Sequence, residues 1–266
     1  MGKCKLIINA DDFGHSDSYN SAIVTSFENG YITSTTIMTN MAGFDSACKL
    51  AFDYSFEKKI GLHLNLTEGF PLTNNMAQNT RFCDENNMFR KNTIRNNWFA
   101  SLHLSKKDRI DLQGEIRAQL NRLIGKGINP THIDSHHHVH ITWSIGCEVK
   151  KIAKEYGIPS IRLSDNICIR HPKVWMHNFL YNAFLRRQIP KLTTFFGSAK
   201  RALKLSSHVK ASVEVMVHPR LAKGQRLIDM TNILDPTGAT SKDMKITFKE
   251  LIEYFTEVDL IGYGEL

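Results

Sequence analysis

The strongest constraint on this chain is a regular alternation of short apolar runs with amphipathic helical segments, from one end to the other. Strand-like runs are read at residues 5–9, 34–38, 60–66, 131–135, 160–163, 211–217 and 259–263. Helical spacing of apolar residues is read over 17–29, 44–52, 105–125 and 143–156, and over 241–256 behind a capping Ser241. Strands separated by helices pair in parallel through right-handed crossovers. About seven strands in 266 residues favour a barrel over an open sheet. The expected fold class is α/β, a distorted (β/α) barrel of about seven strands. No repeat or linker interrupts the pattern, so residues 1–266 are expected to form a single domain.

Two stretches depart from the alternation. Residues 68–100 are rich in Asn, Thr and Phe without a period, and read as a long loop of the kind that shapes a site. Residues 166–210 read as a basic, helical insertion, with helices expected over 174–187 and 194–205. From 166 to 213 there are nine Lys and Arg and no Asp or Glu, within a chain of net charge +8. Such a block reads either as a skewed solvated surface or as a contact for an anionic partner.

The five cysteines form no CxxC pair, and their odd number suits reduced thiols in a reducing compartment. The opening MGKCKLIINADD lacks the layout of a signal peptide. No window approaches the length of a membrane span. A cytoplasmic location without a membrane partner is therefore expected.

The unusual residues lie where strands end. Asp11 and Asp12 follow the first strand, and His63 sits near the end of the third. His136, His137, His138 and His140 follow the strand HIDS, and His218 follows VEVMV. In β/α folds the site lies at the carboxyl ends of the strands, so four strands deliver Asp and His to one rim. Singly, each signal is ambiguous. Asp11-Asp12 reads equally as a turn, His63 as a packed core histidine, and His218 as a residue closing a strand. The run HIDSHHHVH is stronger, because clustered imidazoles are typical metal ligands. His132, Asp134 and His136 share a face if that strand continues. With a metal on the rim, His218 suits a proton donor.

The segments INADDFG, TSTT, GLHLNLTEG, HIDSHHHVH and VHP, running in order from Ile8 to Pro219, resemble the YdjC-like carbohydrate deacetylases. That family is similar in fold to the NodB-type polysaccharide deacetylases. The resemblance implies metal-dependent hydrolysis of the N-acetyl group of a sugar or chitooligosaccharide-type chain. It implies Asp12, His63 and His136 as ligands of one divalent ion, Mg or Zn. It further implies Asp11 as general base and His218 as general acid. His137, His138 and His140 are expected to support the ligands, and Arg162 and Arg220 to support them or meet substrate. Arg220 stands where the family more usually carries glycine after His-Pro. A homodimer is also expected from the resemblance. The rival readings are another barrel metal hydrolase, such as an amidohydrolase or phosphoesterase, and a non-catalytic sugar- or nucleic-acid-binding protein. Nucleic acid is not expected, because the basic block lacks an RNA-binding signature.

Overall fold

A computed structural model of the protein describes residues 2–91, 102–222, 226–229 and 248–266. Strand β1, Cys4–Phe13, is its central stave. It is followed by helix α1 (Asp17–Glu28), β2 (Ser34–Ile37), α2 (Phe44–Asp53), β3 (Ile60–Leu64) and the short α3 (Asn74–Ala77). Then come α4 (Lys106–Ile124), β4 (Ile133–Ser135), a 3-10 turn at His136–Ile141, and α5 (Trp143–Glu155). The second half holds α6 (Pro172–Arg186), β5 (Phe195–Ser198), α7 (Ala199–Ala202) and β6 (Ser212–Val217). A β7–β8 hairpin (Pro219–Ala222, Arg226–Asp229), α8 (Phe248–Tyr254) and β9 (Val258–Leu260) complete the described elements.

The main sheet runs β4-β3-β2-β1-β6-β5, every pair parallel. Strand β1 is long enough to hold two neighbours on one edge. Strand β9 pairs with Cys4–Leu6, and β2 pairs from Asn9 onward. The run read at 160–163 keeps only one bridge, Ile161 to Ile133, and no longer ladder. From there the wall reaches β5 through Asn166. Its backbone N–H donates to the Phe196 carbonyl at 3.2 Å, and its side-chain oxygen accepts from the Phe196 N–H at 2.9 Å. An amide side chain thus stands in for a missing ladder bond, and the sheet curls into a distorted barrel.

Most expected elements are present, with shifts that have physical reasons. The helix expected over 194–205 is corrected, because its first part is β5, paired to β6 from Phe195 to Ser198. Only Ala199–Ala202 is helical. The loop expectation at 68–100 is interrupted by α3, and its residues 92–100 lie outside the described set, as do residues 241–247 of the last expected helix.

Alternation along β1 sends Leu6, Ile8 and Ala10 into the layer beneath the helices, with Ile23, Ile116, Leu120 and Ile152. Each of these Leu and Ile side chains stabilises the fold by about 1.5–3 kcal/mol when fully buried. Ile7 turns the other way and packs with Ile261 and Tyr263 inside the barrel. Helix α4 starts sharply because Ser105 accepts from the Asp108 N–H while Asp108 bonds back to Ser105. That reciprocal cap is worth about 1 kcal/mol.

Candidate metal centre

Two adjacent acids on a strand should point to opposite faces. Here a bulge removes that difficulty. Between Ala10 and Phe13 the register against β2 slips, three residues of β1 advancing against two of its neighbour. Asp12 takes the left-handed region at φ 69°, which Asp tolerates better than most residues. Asn9 and Asp11 keep the inward phase, and Asn9 Nδ2 donates to Asp11 Oδ1 at 3.0 Å. Asp12, re-aimed by the extra residue, turns to the barrel mouth beside them.

Asp12 is 4% exposed, and two imidazoles face its carboxylate. His63 Nε2 lies 3.3 Å from Oδ1, and His136 Nδ1 lies 2.9 Å from the same oxygen. Ligand atoms of Asp12, His63 and His136 all fall within 4.8 Å of one another. The far nitrogen of each ring is held. His63 Nδ1 meets Asp134 Oδ1 at 2.7 Å and Thr36 Oγ1 at 3.1 Å. His136 Nε2 meets Glu68 Oε2 at 3.1 Å. Carboxylates behind the imidazoles fix ring orientation and raise ligand basicity, as in many metal sites.

Beneath them lies a buried ionic cluster centred on Arg162, which is fully enclosed. Its two terminal nitrogens each lie 2.7 Å from an oxygen of Asp11. Nη1 also reaches Asp134 at 2.6 Å, and Nε donates to Glu214 Oε1 at 2.6 Å. The guanidinium sits 5.0 Å from the centre of the Phe196 ring.

Charge states follow from this packing. Burial alone would lower the His63 pKa, but the Asp134 charge and the hydrogen bonds to Asp12 and Asp134 overcome it and raise it to about 10. Burial also opposes protonation of His136, and the bonds to Asp12 and Glu68 raise it nonetheless. Burial would raise Asp12 and Asp11, yet the imidazoles hold Asp12, and Arg162 holds Asp11, below the usual carboxylate range. Glu214 is pushed up to about 7, because burial outweighs the Arg162 charge. One carboxylate and two imidazoles, each ring held by a carboxylate at its far nitrogen, form a donor set that fits a dication at Asp12, His63 and His136. A second group, Asp11 with His63 and Asp134, has ligand atoms equally close, but the Arg162 guanidinium already serves its carboxylates.

The other expected residues are placed as follows. His218 Nε2 is 4.0 Å from Asp12 Oδ2, on a partly open rim. Arg220 Nη2 is 3.6 Å from the same oxygen, with its guanidinium 3.2 Å from the Tyr19 ring centre. The strand does not continue to His136, because His137 and His138 take φ 51° and 53° and turn the chain. Two successive left-handed residues cost about 1–2 kcal/mol each, which the packed turn must offset. His137 Nδ1 meets Thr67 Oγ1 at 3.0 Å. His138 packs edge-on to His140 and Phe196. His140 bonds Ser135 Oγ and takes the Tyr181 hydroxyl on its carbonyl at 2.6 Å, so it ties the turn to α6. His132 stacks on Tyr263 at 3.6 Å, deep below the mouth.

Three residues emerge that sequence reasoning did not assign. Glu68 links His136 to His15, whose Nε2 lies 3.2 Å from Oε1. It is the sole acid in GLHLNLTEG, which was its available signal. Glu214 stands between Val213 and Val215 in its strand, the ordinary mark of a position facing a polar lumen, and Asp134 shares the inward phase of His132.

The chain is similar to known proteins. A family model described as YdjC-like protein matches residues 5–252. A carbohydrate deacetylase of Clostridium beijerinckii is 39% identical, over 98% of this chain and 100% of that one. One from Brevibacillus brevis is 35% identical, over 98% and 99%. Among solved structures, a candidate cellobiose-phosphate cleavage protein of Enterococcus faecalis superposes with TM-score 0.71 at 23% identity, covering 99% of this chain and 98% of its own, a likeness of fold.

Proposed function

Because the chain belongs to the YdjC-like protein family, we propose that it is a carbohydrate deacetylase, hydrolysing the N-acetyl group of a sugar of the chitooligosaccharide type. The observation that carries this reading is the pair of adjacent carboxylates with different surroundings. Asp12 faces two imidazoles, and Asp11 is clamped by Arg162. One is suited to hold a cation and the other to take a proton.

Asp12, His63 and His136 would hold the ion, and two nitrogen donors with one oxygen favour zinc over magnesium. When bound, the ion supplies Lewis acidity, polarising the acetamide carbonyl and acidifying a water molecule. Asp11 takes the proton of the attacking water. The Arg162 clamp keeps this carboxylate ionised and aimed, at some cost in basicity. His218, at the open rim, gives a proton to the departing sugar amine, so acetate and an amino sugar leave. Glu68 and Asp134 hold the imidazoles by their far nitrogens. The five free cysteines suit a cytoplasmic enzyme.

The test is acetate release from N-acetylated mono- and oligosaccharides before and after chelation, with phosphate esters as the competing substrates. Asp12→Ala and His136→Ala should each lower turnover about a thousandfold or more, several kcal/mol of transition-state stabilisation, with the fold retained by circular dichroism. Full turnover in a chelated, ion-free sample would overturn the reading. So would hydrolysis of the phosphate esters alone.

A further inference from the structure

We propose that the outer face of α6 docks on an anionic lipid bilayer surface. This helix is inside out by the standard of a water-soluble protein, which turns apolar residues inward and polar ones outward. Its buried face carries Asn178, Tyr181 and Asn182 beside Leu185. Asn182 exchanges two hydrogen bonds with the Ser164 backbone, and Asn178 donates to the Asp165 carbonyl. Its outward side carries Trp175, Met176, Phe179 and Leu180, each 48–56% exposed. Trp175 and Phe179, one turn apart, stack at 5.4 Å. A contiguous exposed patch with two large aromatics marks a contact surface rather than scattered surface hydrophobes.

Charge selects the occupant. Exposed Arg170 and Lys173 precede the patch, and exposed Arg186 and Arg187 follow it. No acid occurs anywhere from 166 to 213. A second copy laid against this face would bring cations against cations, so the homodimer expected from family resemblance would need another surface. An anionic bilayer offers apolar depth for Trp175 and Phe179 and negative headgroups for the flanking cations. No described helix is long and apolar enough to cross a membrane. The expectation of no membrane partner rested on the lack of a span, and a surface contact needs none. Through the Tyr181 bond to His140, the docked helix is fixed to the turn that carries His136.

The experiment is sedimentation of the full chain with phosphatidylcholine vesicles, with and without phosphatidylglycerol. Binding is expected only to the anionic vesicles and should weaken in high salt. Lys173→Gln and Arg187→Gln should each weaken it about fivefold. The double variant Trp175→Ser, Phe179→Ser should weaken it about tenfold or more, with unchanged melting temperature and unchanged turnover of a soluble N-acetylated sugar. Equal binding to both vesicle types would overturn the proposal, as would no binding to either. A dimer in light scattering that the same double variant dissolves would also overturn it, assigning the face to a second copy.

Discussion

The proton on His63 has a measurable consequence. With its pKa raised to about 10, the ring is protonated at neutral pH, and His136 is displaced in the same direction. A cation must evict the His63 proton to reach that ring nitrogen, because an imidazole ligates only when neutral at the coordinating atom. Calorimetric titration with zinc at pH 7, in buffers of different ionisation enthalpy, should report at least the His63 proton released per ion. Affinity should rise with pH until near 10, where His63 gives up its proton unaided. Binding without proton release would mean that the imidazoles are not ligands. Chelation should leave a folded chain, since His63 regains its proton and its bonds to Asp12 and Asp134 as the ion leaves.

At the scale of elements, the centre depends on how closely β3 and β4 approach. Gly61 on β3 lies under the ring of His132, the residue just before β4, and an added Cβ would fall 2.7 Å from the His132 carbonyl oxygen, closer still to the ring. His132 cannot retreat, because Tyr263 stacks on its far side. Gly61→Ala should destabilise the fold by about 2–3 kcal/mol, a cost of overpacking. Because these two strands carry or lead into His63 and His136, zinc affinity should fall as well. Thermal melting and zinc titration of the variant check both effects, and an alanine accepted without loss would contradict this packing. The strands were largely legible as apolar runs, and the rim as clustered Asp and His. Strand β5 was not, since four residues of Phe-Phe-Gly-Ser are too short to show a period beside helical-looking neighbours. Nor was the aim of Asp12, because strand alternation sends it away from Asp11 and only the bulge reverses that. Glu68 reaches His136 after a loop, a meeting that local pattern does not encode.

For the whole molecule, the buried ionic cluster sets how stability responds to pH. Glu214 has a folded pKa near 7 against an ordinary 4.5, so the folded chain binds the proton more tightly. Its contribution is complete below pH 4.5 and is lost as pH rises towards 7, at most about 3 kcal/mol. Asp11, held low by Arg162, works in the opposite sense, and its contribution fails only in strong acid. Glu214→Gln, which imitates the neutral form, should flatten the decline in unfolding free energy between pH 4.5 and 7. Denaturant melts across that interval test this, and an unchanged slope would remove Glu214 from the account. The same residue belongs to a mechanical arrangement. Arg162 rides on a stretch of wall held to β4 by a single bridge, yet from it reaches Asp11 on β1, Asp134 on β4 and Glu214 on β6. It works as a hub whose spokes hold the rim, so the cylinder cannot slacken at its seam without also letting go of the base that would activate water.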